Sequence, residues 1–61
     1  MEKATPEQIN QSASGMIRIY KETAAAHARV QVQRMADRKD ADGEENWKAI
    51  VQAIEEALGQ E

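Results

Sequence analysis

Among 61 residues there is one histidine, His27, and no cysteine. Zinc sites take three or four protein ligands, mostly nitrogen and sulfur, so no metal centre is assigned. Asp40-Ala41-Asp42-Gly43 looks like the middle of a calcium loop. Aligning Gly43 with the glycine of such a loop puts Arg38 at the first ligand position and Ala49 at the last, where a bidentate acid belongs. Asp40 and Asp42 therefore read as helix caps. Ser12 and Ser14 have no base and orienting group at a spacing that would activate a hydroxyl. Glu44/Glu45 and Glu55/Glu56 are neighbours in sequence and point about 100° apart on a helix, which makes them solvated charges rather than an acid–base pair. Gly43 and Gly59 are isolated, so there is no glycine loop to cradle phosphate. No catalytic residue, cofactor site or metal ligand is assigned, and the chain reads as a non-enzyme. The remaining candidates for chemistry are cationic: Arg29, Arg34 and Arg38, placed to meet anionic groups.

Those arginines belong to an uneven charge distribution. Residues 1–17 carry −1, residues 18–39 carry +4 and residues 40–61 carry −6, for a net charge of −3. A basic helix lying beside an acidic one neutralises much of each field, so Arg29, Arg34 and Arg38 are expected to pair with acids of the last helix. The same acidic segment opposes a nucleic-acid role, and no aromatic residue lies among the basic ones after Tyr20. A small DNA-associated regulator using the basic 29–39 segment is the alternative reading.

The elements that hold these residues are helices. Eleven residues are alanine, phenylalanine is absent, and glycine and proline together number four; strand-favouring residues are too few for a sheet. Thr5-Pro6-Glu7-Gln8 combines a cap, a first-turn proline and a capping-box glutamine. Gly15 then weakens the first helix by about 1 kcal/mol relative to alanine without ending it. Near Thr23 the chain either bends or runs on. Asp40 to Gly43 is a break, with Asp42 and Glu45 spaced as a second capping box and Asp40 one step earlier as the other start. Trp47, Ile50, Val51, Ile54 and Leu58 form one apolar stripe, and Gly59 is a natural stop. The spacing predicts a single all-α domain over 1–61, with helices near 6–20, 23–38 and 43–58 and a turn at 39–42. It is either a helical hairpin or a three-helix unit.

Taken as one helix, residues 6–38 place Ile9, Ala13, Met16, Ile17, Tyr20, Ala24, His27, Ala28 and Met35 within a sector of about 120°. That face is expected to pack on the Trp47–Leu58 stripe. Ile19, Ala26 and Val30 point nearly the opposite way, and a chain this short buries only about 60% of the surface its unfolded form exposes. A wide apolar band on so small a protein marks an interface. The fold is therefore expected to be completed by dimerisation, with Ile19, Val30, Trp47 and Ile54 as interface anchors. The partner is a second copy of the chain, with another protein as a further partner. No apolar run approaches the roughly 20 residues that span a bilayer, and the start of the chain lacks a signal-peptide core; a cytoplasmic location is expected.

Thr5-Pro6-Glu7-Gln8-Ile9, an alanine-rich helix, and then Asp40-x-Asp42-Gly43-x-x-x-Trp47-x-x-Ile50 resemble small helical proteins of sphingomonads and related alphaproteobacteria. The likeness covers most of the chain. Such proteins carry an acid-glycine turn before a tryptophan on the last helix, and often a glycine where the first helix ends; Tyr20-Lys21-Glu22 stands there instead. They have no assigned function, so the resemblance implies a bacterial helical domain and transfers no site residues. The function expected from the residues is that of a non-catalytic, self-associating helical interaction module.

Overall fold

The computed structural model describes residues 3–59, and within them every regular element is helical. Helix α1 runs Pro6–Tyr20, a single 3-10 turn occupies Lys21–Thr23, α2 runs Ala24–Asp37 and α3 runs Ala41–Ala57. The chain therefore bends where the sequence left the choice open, and the unit has three helices.

The starts of α1 and α3 each have a side-chain cap. At α1 the Gln8 backbone N–H donates to Thr5 Oγ1 at 3.2 Å, and the Thr5 N–H donates to Gln8 Oε1 at 3.0 Å. This is the capping box the sequence spells, with Pro6 inside it. Helix α3 begins two residues before the expected position 43. Its cap is Asp40, whose Oδ1 accepts from the Gly43 N–H at 2.9 Å. The reason lies in how α2 ends. Lys39 takes φ 58°, and the last turn closes with the Asp40 N–H on the Met35 carbonyl at 2.9 Å and the Lys39 N–H on the Ala36 carbonyl at 3.0 Å. These are the two bonds of a Schellman motif with lysine in the usual glycine position. That stop leaves Asp40 outside α2, with φ −95° and ψ 89°, where it caps the next helix, while Asp42 falls into the first turn, where the helix dipole favours its charge.

The corner between α1 and α2 is tighter. Lys21 has φ 57° and ψ −130° and donates its N–H to the Ile17 carbonyl. Positive φ crowds the Cβ of an L-residue, which is why glycine favours such positions. Thr23 does not cap α2; its hydroxyl donates to the Tyr20 carbonyl at 2.7 Å, tying the turn back on itself.

Helix α3 packs against both α1 and α2. The core comprises Ala13 of α1, Ala24, Ala25, Ala28 and Met35 of α2, and Ile50 and Ile54 of α3, all buried. Ile9, Met16, Ile17, Trp47, Val51 and Leu58 are half-buried around it. Packing is also tight at Gly43: a Cβ there would lie 2.7 Å from Met35 Sδ and 2.8 Å from Asp40 Oδ2, so any larger residue forces those side chains to shift. Buried Asn46 accepts from the Ala4 N–H at 2.9 Å through Oδ1 and holds the segment before α1 against α3.

Candidate functional site: an outward apolar surface at the corner

The bend decides which predicted anchors reach solvent. Ile19 is 70% exposed and Val30 is 50% exposed. Ile54, by contrast, is 0% exposed and sits in the centre of the protomer's own core, so it is not available to a partner. This corrects its assignment as an interface anchor: α3 turns that residue directly onto the alanines of α2. Trp47 is half-buried and packs against the same core, leaving only part of its surface outside.

Two residues expected on the packing face lie elsewhere. Tyr20 and His27 are both exposed, and their rings stack across the corner with centroids 3.8 Å apart and planes at 23°. The bend re-aims α2 so that Ala25 joins the buried face and His27 leaves it. A straight-helix projection hides this pair; the signal for it is an aromatic and a histidine seven residues apart across the segment where the chain either bends or runs on.

The resulting surface runs from Ile19 and Tyr20 at the end of α1, through His27, to Val30 one turn further along α2. Arg18 precedes it, Lys21 lies at the corner and Arg34 follows one turn after Val30, all exposed, with Glu22 as the acid at the bend. An apolar strip with a mainly basic border is the arrangement.

The arginines divide. Arg29 pairs with Glu55 of α3, as expected from the charge split. Arg34 and Arg38 are exposed and make no ion pair among the described residues. The acids of α3 instead meet Lys3, which bridges to Glu45 at 3.2 Å, and Lys48, which bridges to Glu44 at 3.1 Å. These pairs are largely exposed and contribute little to stability.

Among the described residues, two of the surface depressions are broad and unenclosed. One follows the outward side of α1 past Glu7, Gln11, Ser14, Gly15 and Arg18; the other lies between Pro6, Ile9 and Asn10 of α1 and Ala49, Gln52, Ala53 and Glu56 of α3. Neither surrounds a small molecule as a ligand pocket does. Among the described residues no group of three or more histidine, aspartate or glutamate side chains converges as a metal site. No helix among them is long and apolar enough to cross a membrane. No family model, curated protein or solved structure matches this chain, so the surface is read from its own geometry.

Proposed function

We propose that the protein is a non-catalytic helical interaction module whose partner is a second copy of itself, acting in the bacterial cytoplasm that its resemblance suggests. One observation carries this reading: Ile19 and Val30, the two most exposed large aliphatic side chains among the described residues, lie on either side of the corner across which Tyr20 and His27 stack. Fully burying an aliphatic side chain of this size contributes about 1.5–3 kcal/mol, and the isolated protomer leaves half or more of each of these two exposed. The protomer's core is thin, built on four alanines and three larger apolar residues, so added burial matters more than in a large domain.

The experiment is sedimentation of the wild type and of a variant carrying Ile19→Lys and Val30→Lys across micromolar to millimolar concentration. Wild type that sediments as a dimer at the upper end, with a variant that stays monomeric and equally helical, supports the reading. A wild type that is monomeric throughout overturns it.

A second reading rests on Arg34 and Arg38, which stand exposed one helical turn apart without an ion pair to α3. They would meet phosphates of a duplex. Titration with duplex DNA at two salt concentrations separates the readings, since phosphate contacts weaken steeply with salt.

A further inference from the structure

The corner at Lys21–Thr23 is formed by residues that suit a helix, and this gives self-association a mode. From Met16 to Asp42 the chain contains no glycine or proline, so no breaker enforces the bend. Lys21 holds φ 57° and ψ −130°, a conformation disfavoured for any residue with a Cβ. The side-chain contacts at the corner are the Thr23 hydroxyl on the Tyr20 carbonyl and the Tyr20–His27 stack. When residues 6–37 are drawn as one continuous helix, Ile9, Ala13, Met16, Ile17, Ala24, Ala28 and Met35 of the core-facing set span about 120°, and buried Ala25 lies about 60° outside that sector.

We infer that two copies exchange α1 by straightening at Lys21–Thr23, so that residues 6–37 become one helix and each α1 packs in the partner's place against α2 and α3. The exchange retains the packing of Ile9, Ala13, Met16 and Ile17, because the same side chains meet the same neighbours in another chain. It releases the positive φ at Lys21 and extends the helical hydrogen bonding through the turn. It also creates a contact that the closed protomer lacks: the two straightened corners lie beside each other, and the residues they bring together include Ile19 and Tyr20, exposed in the protomer. The partner is thus specified as an identical chain, since α1 fits the site left by α1. This inference rests on self-association and assigns how it occurs.

The test exploits the absence of cysteine. Cysteines introduced as Glu7→Cys and Arg38→Cys carry spin labels near the two ends of the 6–37 segment, and dilution with unlabelled chain restricts the measurement to distances within one chain. A straightened segment separates them by about 45 Å, whereas the longest dimension of the closed protomer is 29 Å. The wild-type dimer is expected to show the long distance. Lys21→Gly removes the strain from the bent form and places glycine inside the straight one, weakening self-association about a thousandfold when both chains are counted. Lys21→Ala keeps the positive-φ penalty and a good helix former, and is expected to remain dimeric with the long distance. A dimer that shows only the short distance and is indifferent to Lys21→Gly overturns the exchange while leaving surface association standing. A wild type monomeric at all concentrations overturns both.

Discussion

Two glycines in this chain respond to the same substitution with opposite signs, because one faces open space and the other a packed side chain. At Gly15 a Cβ meets nothing within 4 Å, so Gly15→Ala gains the helix-interior preference of alanine, about 1 kcal/mol. At Gly43 the new Cβ would stand 2.7 Å from Met35 Sδ, 2.8 Å from Asp40 Oδ2 and 2.9 Å from Asp40 Cγ. Met35 is buried and has little room to retreat, and the carboxylate that must yield is the one that caps α3 through its other oxygen. Overpacking costs about 1–3 kcal/mol and a weakened cap about 1 kcal/mol, against a gain of up to about 1 kcal/mol from replacing glycine in a helix. The net loss is about 1–3 kcal/mol. For a domain of this size 1 kcal/mol moves Tm by about 4–8 °C. Thermal melts followed by circular dichroism are expected to rise by that amount for Gly15→Ala and to fall by at least as much for Gly43→Ala. Equal upward shifts for the two variants would refute the close approach of α3 to Met35 and with it the packing of α2 on α3.

Three further outcomes follow from the helix ends and from Asn46, the one buried polar side chain among the described residues. Asp40→Ala is expected to lower stability by about 1 kcal/mol in urea titrations, since it removes the accepting oxygen at Gly43; Asp42→Ala, in the first turn rather than at the cap, is expected to cost less than half as much. Lys39→Gly relieves the φ of 58° at the end of α2 and is expected to stabilise by about 0.5–1 kcal/mol in the same assay. Asn46→Ala leaves the Ala4 N–H without its 2.9 Å acceptor and is expected to cost about 1 kcal/mol, with faster amide exchange at Ala4 and the first turn of α1.

Much of this architecture was legible in the residues, and the failures have physical causes. The start of α1 was readable because Thr5, Pro6 and Gln8 act locally, within one turn. The stripe containing Ile50 and Ile54 was readable because period and burial coincide on α3, yet that same stripe misled the functional assignment: an apolar face does not announce whether its own chain or another covers it, and Ile54 proved internal. The choice of Asp40 over Asp42 depended on Lys39 adopting positive φ, which its side chain does not signal. The corner was undecided because its sequence favours a helix while tertiary packing on α3 favours a bend. His27 and Tyr20 left the packing face for the same reason. Arg34 and Arg38 were assigned to acids of α3 from net charge alone, which gives the sign of a segment and not the direction of its side chains; Arg29 met Glu55 because it lies on the flank of α2 that faces α3.

The central claim is that a second copy docks where Ile19, Tyr20, His27 and Val30 meet solvent. Amide chemical shifts recorded at low and high protein concentration test it residue by residue. Concentration-dependent changes, or a second set of peaks, are expected to be largest at Ile19, Tyr20, His27 and Val30 and small at Gln52 and Glu56, which are exposed on α3 beside the start of α1. A spectrum that does not change with concentration, or changes that gather on α3 instead, would contradict the account.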